Sequence, residues 1–189
     1  MKSALYHGYD TNKDIVEECD DINSFLDSIK YCIGDKVLLV GDVRNLGKRL
    51  RMCGAYVTIL EHNDYQDVCL SLVHNENCTV VKGSLEYMPF NDNFFDKVIV
   101  LDHFNHTSNC KKASMEIRRV LKNKGELILE DRNIKNLRVK LRYLKRRLLG
   151  ETISYNYPHE VFKLFSNLDF DGNLKEIEDE RYIYIGKVK

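Results

Sequence analysis

Five short polar clusters carry the residues that could do chemistry, and each follows an apolar run of strand length. They are Gly41-Asp42-Val43, Glu61-His62, Gly83-Ser84-Leu85-Glu86, Leu101-Asp102-His103 with Asn105, His106 and Thr107, and Asp131-Arg132. A carboxylate at Glu61 offers two acceptor oxygens, which suits the paired hydroxyls of a ribose. A glycine at 41 lets a ligand come close to the backbone. His103 and His106 titrate near neutrality when unperturbed, so with Asp102 they are the candidate acid–base groups. His103, His106 and Cys110 match no standard zinc spacing, and no metal is expected.

The elements that must position these clusters read plainly. Val37–Val40, Tyr56–Leu60, Thr79–Val81, Lys97–Leu101 and Glu126–Glu130 are apolar or β-branched runs that predict strands. Between them the spacing predicts helices over Leu46–Cys53, with Leu46, Leu50 and Cys53 on one side, over Tyr65–Val73, and over Ala113–Leu121. Gly125 is expected to cap the last of these in the left-handed conformation. Pro158 opens a further helix to about Asn167. Leu174–Glu178 and Arg181–Val188 predict two closing strands paired as a hairpin. Strand–helix alternation at this length means an α/β sheet, mostly parallel. In such a sheet ligands sit beyond the carboxyl ends of the strands, where all five clusters fall.

The chain of 189 residues is 43% hydrophobic and 31% charged, ordinary for a globular domain. Its length fits one domain, 1–189, with a helical prelude over 1–33 and an insertion over 132–157. The prelude helix is expected from Thr11 to Tyr31, with Tyr6 and Tyr9 as candidate lid contacts. No signal peptide or membrane span is evident, so the expected location is the cytoplasm, with peripheral membrane contact as an option. Six scattered cysteines read as reduced, mostly buried thiols.

Net charge is zero, but it is unevenly spread. Residues 132–150 hold eight basic and no acidic residues. Ile134, Leu137, Leu141, Leu144 and Leu148 recur at helical spacing there, an apolar stripe with basic residues around it. One reading is a helix docked on the sheet with its basic face in solvent. The other is an anionic partner, with a membrane surface or an anionic ligand favoured over nucleic acid.

The segment Gly83–Val100, GSLEYMPFNDNFFDKVIV, resembles a stretch of class I S-adenosylmethionine-dependent methyltransferases of the ubiquinone/menaquinone-biosynthesis-like group. Glu116–Leu127, EIRRVLKNKGEL, and Tyr157–Phe170 are similar to later stretches of the same family, in the same order. The resemblance spans about residues 36–188. It implies a Rossmann-like seven-stranded sheet of order 3-2-1-4-5-7-6, strand 7 antiparallel, with helices on both faces. It implies S-adenosylmethionine as cofactor, S-adenosylhomocysteine as product, and a small-molecule or lipid-like acceptor.

The cofactor positions that carry over are Gly41, Asp42, Val43, Glu61 for the ribose, His62 beside adenine, Gly83, Ser84, Leu85 and Leu101. His103, His106 and Asp102 stand where a base for the acceptor would be. Leu39, Val43, Asn45 and Ser84 depart from the family's usual residues, which leaves a second reading: a weakly active or inactive methyltransferase-like binding module. A nicotinamide-dependent oxidoreductase is disfavoured because Gly41–Gly47 lacks G-x-G-x-x-G.

Overall fold

The computed structural model describes residues 32–42, 46–62, 78–150, 154, 156–177 and 180–189. The chain divides into two units, Met1–Cys32 and Ile33–Lys189, and the sheet lies wholly within the second. The expected prelude helix, Tyr6, Tyr9, Val43, Asn45, the Tyr65–Val73 helix, Cys19 and Cys69 lie outside the described residues.

Seven strands form one sheet: β1 (Lys36–Gly41), β2 (Tyr56–Glu61), β3 (Thr79–Lys82), β4 (Phe95–Leu101), β5 (Leu121–Arg132), β6 (Phe170–Ile177) and β7 (Arg181–Val188). The helices are α1 (Leu46–Met52), α2 (Cys110–Val120), α3 (Leu137–Leu148) and α4 (Pro158–Ser166), with a 3-10 turn at Phe104–His106. The sheet order is β3-β2-β1-β4-β5-β7-β6, as the resemblance implies. Strands β1 to β5 pair in parallel, and β7 runs antiparallel to both β5 and β6.

Apolar runs became the central strands because both their faces are covered. Leu38, Val40, Val98, Val100, Leu127 and Leu129 join Ile117 of α2 and Val161 and Phe165 of α4 in one core. By the two-residue period of a strand, Leu39, Ile59, Ile99 and Ile128 turn to the other face, and all four are buried. Phe165 stacks on Tyr184 at 5.2 Å and meets Phe170 edge-on at 5.4 Å, joining α4 to the β6–β7 hairpin.

Three local expectations are corrected. Helix α2 stops at Val120, and the next residue, Leu121, is already extended and begins β5. The left-handed residue is then Lys124, with φ 62°, and not Gly125. The β4–β5 register jumps from Phe95↔Leu121 to Lys97↔Glu126, so Asn123-Lys124-Gly125 is a bulge inside the strand pairing. Gly125 is still needed for space, because a Cβ there would lie 2.8 Å from the Lys122 carbonyl oxygen.

The second correction concerns α3. Its leucine stripe does not dock. Val139 and Tyr143 are its buried residues, packed with Ile134 and Tyr157, while Leu137, Leu141, Leu144 and Leu148 are exposed. The cap explains this. Asn136 accepts hydrogen bonds from the N–H groups of Arg138 and Val139 at 2.8 and 3.3 Å, so the helix begins after Ile134. The first member of the supposed stripe is therefore outside the helix. The rotation is set instead by Tyr143, whose ring approaches His106 at 6.3 Å.

Third, Cys32 and Cys53 are exposed, Cys110 is half-buried, and only Cys78 of the described cysteines is buried.

Candidate functional site

The last rung of the parallel sheet assembles the site. Gly41 pairs with Leu101, Leu101 with Glu130, and Glu61 with Lys82. Val40 pairs with Leu60, which puts Gly41 and Glu61 side by side one step further on. The clusters that follow β1, β2, β3 and β4 thus open from one edge.

Gly41 is held at φ +93°, and a Cβ there would lie 2.0 Å from the Leu101 carbonyl oxygen and 2.8 Å from the His103 Cβ. Its lack of a side chain therefore lets the end of β1 meet the end of β4. The adjoining Asp42 N–H donates to that same Leu101 oxygen at 3.0 Å. After β3, Gly83 N–H donates to the Glu61 carbonyl at 3.0 Å. Ser84 and Tyr87 then pair across a tight turn that sends Leu85 into the core.

Helix α2 braces the loop between β3 and β4. Arg119 donates to the carbonyls of Phe90 (2.7 Å) and Met88 (3.0 Å) and to Asp92 (2.8 Å), and Glu116 accepts from Met88 N–H at 2.9 Å. The Arg119 guanidinium holds the Glu116 carboxyl below the usual carboxylate range. Glu116 and Arg119, prominent in the sequence, are thus structural ties beneath the site. Glu86, beside this loop, accepts from Ser108 and from Asn109 N–H at 2.9 and 2.8 Å.

The turn after β4 separates its polar residues into two sets. Asn105 and Thr107 are buried, whereas His103 and His106 are half-buried with ring centroids 6.2 Å apart. Asp102 sits at φ 45° and pairs with Arg132 at 3.5 Å. Asn105 and Thr107 do not line the site. Thr107 donates to the Phe104 carbonyl at 2.8 Å. Asn105 N–H donates to Asp131 at 2.8 Å, and its Oδ1 accepts from Asn156 at 3.2 Å.

Asp131 is buried, and burial with Asp102 nearby raises its pKa. On the neighbouring rung, Arg181 donates to the buried carboxylate of Glu130. The sequence analysis singled out neither Asn156 nor the Arg181–Glu130 pair, whose partners lie 51 positions apart.

His103 has its pKa lowered to about 4, first by burial and then by His106 and His62. His62 and Glu86 both act on it electrostatically, which brings the β2, β3 and β4 clusters around one imidazole. A free imidazole titrates near 6.5, so between about 6.5 and 4 the unfolded chain binds a proton that the folded chain refuses. His103 therefore lowers stability as pH falls through that window and is without effect above it. Proton NMR of the imidazole is expected to show a midpoint near 4; a midpoint near 6.5 would refute the burial argument. Asp131 runs in the opposite sense, so the His103→Gln difference curve isolates the histidine. Among the described residues no three His, Cys, Asp or Glu side chains converge as a metal site.

Residues 40–129 match the family model described as a methyltransferase domain. That match is a likeness over the stretch from the end of β1 into β5, which carries most of the candidate site. The chain is 30% identical over 94 residues to the ubiquinone/menaquinone biosynthesis C-methyltransferase UbiE of Wigglesworthia glossinidia brevipalpis, covering 47% of this chain and 38% of that protein. It is 40% identical over 67 residues to an uncharacterised protein of Methanocaldococcus jannaschii, covering 34% of this chain and 29% of that one. The matched stretches thus span well under half the length of these curated relatives. The fold is shared with the YcgJ protein of Bacillus subtilis, at TM-score 0.72 and 15% identity over 90% of this chain and 99% of that one.

The residues present fit S-adenosylmethionine, the cofactor the resemblance implies, at its ribose end. Glu61 presents a carboxylate at the last rung of β2, beside the left-handed Gly41.

Proposed function

We propose that this protein transfers a methyl group from S-adenosylmethionine to a small-molecule or lipid-like acceptor. The observation that supports the reading is the row Glu61–Gly41–Leu101, which sets the Glu61 carboxylate and a close-approach glycine next to the His103 turn. Glu61 would take the ribose hydroxyls, with His62 beside the adenine. Gly83 and Ser84 would bound the adenine end, and Gly41 and Asp42 the opposite one. Leu101 backs the centre.

When bound, the cofactor supplies a methyl on a sulfonium that carries its own leaving group. Alignment of an acceptor lone pair then supplies much of the rate. The chain's own groups orient that acceptor. Asp102, held by Arg132, fixes the turn that carries His103 and His106. His103 is uncharged at neutral pH, so it offers the acceptor a neutral imidazole and no competing cation.

Calorimetry with S-adenosylmethionine and S-adenosylhomocysteine tests the reading. Saturable binding of one molecule per chain is expected, and no heat at millimolar ligand would overturn it.

A further inference from the structure

Among the described residues, helix α3 buries one face against the domain. Val139 and Tyr143 are 0% and 2% exposed, and they anchor it. On the side turned away, Leu137, Leu141, Leu144 and Leu148 are 68%, 57%, 49% and 81% exposed. At about 100° per residue these four leucines fall within an arc of roughly 60°. They form a continuous ridge along the helix. Arg138 and Lys145 flank the ridge on one side, and Lys140 and Arg147 flank it on the other. No acidic residue occurs from 132 to 150. Lys135 and Arg142, which pair with Glu176 and Glu180 at 2.6 and 3.8 Å, tie the helix to the end of β6 and the turn before β7.

Four exposed leucines between two rows of cations are costly in water, since the ridge leaves a contiguous apolar surface unburied. The arrangement discriminates among anionic partners. A nucleic-acid backbone would pair the cations and leave the leucines wet. A soluble anionic metabolite would meet a few of the cations and none of the ridge. The boundary between phosphate headgroups and acyl chains satisfies both at once: leucines enter the acyl region, and the long basic side chains reach back to the phosphates. Among the described residues no helix is long and apolar enough to cross a membrane, and α3 at 12 residues would lie in the plane.

We propose that α3 docks the protein on an anionic lipid bilayer, with Leu137, Leu141, Leu144 and Leu148 inserted and Arg138, Lys140, Lys145 and Arg147 at the lipid phosphates. This surface is independent of the cofactor reading, because none of its side chains belongs to the Glu61–Gly41–His103 group.

The test is sedimentation of the full chain with vesicles of phosphatidylcholine alone and of phosphatidylcholine containing phosphatidylglycerol. The protein is expected to pellet with the anionic vesicles only, and less at high salt. A Leu141→Ser, Leu144→Ser double variant is expected to bind about tenfold more weakly or worse. A Lys140→Glu, Lys145→Glu variant is expected to lose binding as well. Both variants change exposed residues, so thermal unfolding and cofactor calorimetry should match the parent chain. Protein that stays in the supernatant with anionic vesicles overturns the proposal. So does binding that survives loss of the leucines, which would be plain electrostatic adsorption. A self-association seen by sedimentation velocity and abolished by the leucine variant would overturn it in favour of a second copy of the chain.

Discussion

A Gly41→Ala chain will unfold at least about 6–12 °C below the parent protein. Two costs combine. Residue 41 sits at φ +93°, where a side chain costs about 1–2 kcal/mol. The alanine methyl would also stand 2.0 Å from the Leu101 carbonyl oxygen, so the backbone of β4 must move. A packed strand end does not yield cheaply, and a total of about 3 kcal/mol is a reasonable floor. A domain of this size loses about 2–4 °C per kcal/mol, which gives the stated shift. The same movement displaces His103, whose Cβ is the nearest side-chain atom at 2.8 Å, so cofactor affinity should fall with stability.

Gly34 supplies the control. It has φ +91° but nothing within 4 Å of its would-be Cβ, so Gly34→Ala carries the strain without the clash. Circular dichroism melts of both variants decide the matter. If Gly41→Ala melts no lower than Gly34→Ala, the close approach of β1 to β4 is not what this glycine provides.

Glu61→Ala is expected to weaken binding of S-adenosylmethionine about a hundredfold while leaving the melt nearly unchanged. Hydrogen bonds to a charged group contribute about 1.5–3 kcal/mol each, and a carboxylate can accept from both ribose hydroxyls. Tenfold in affinity corresponds to about 1.4 kcal/mol, so loss of two such bonds yields about two decades or more. Glu61→Gln keeps one acceptor oxygen without the charge and should fall between, at about tenfold. Calorimetry with S-adenosylhomocysteine gives the same ranking without turnover. An unchanged affinity in Glu61→Ala would mean that the ribose lies elsewhere, even if the chain still binds the cofactor.

Much of the frame is legible in the linear chain. Val37–Val40, Lys97–Leu101 and Glu126–Glu130 read as strands because a strand covered on both faces must be apolar throughout. The polar residue or glycine that ends each run then marks the carboxyl edge, which is why Gly41, Glu61 and Asp102 could be named in advance. Where two signals compete, local pattern is a weaker guide. The Ile134–Leu148 spacing is a valid helical stripe, yet the burial of Val139 and Tyr143 set the rotation of α3. Asn123-Lys124-Gly125 has the composition of a helix cap, but pairing of Leu121 with Phe95 drew the chain straight into β5.

Periodicity was enough to specify an α/β sheet, its central strands and the edge where ligands would meet it, while the strand order came from the family resemblance. Which polar residues face that edge, and which brace it from behind, depended on packing across the whole domain. Asn105 meets Asp131 across 26 residues and Asn156 across 51, and Arg181 meets Glu130 across 51. Such pairings carry no local signal. They exist because folding brings buried polar groups together, and each one left without a partner costs about 1–3 kcal/mol. The exposed leucine ridge of α3 has the same origin: its pattern was written in the sequence, but which face met water was settled by the packing of Tyr143.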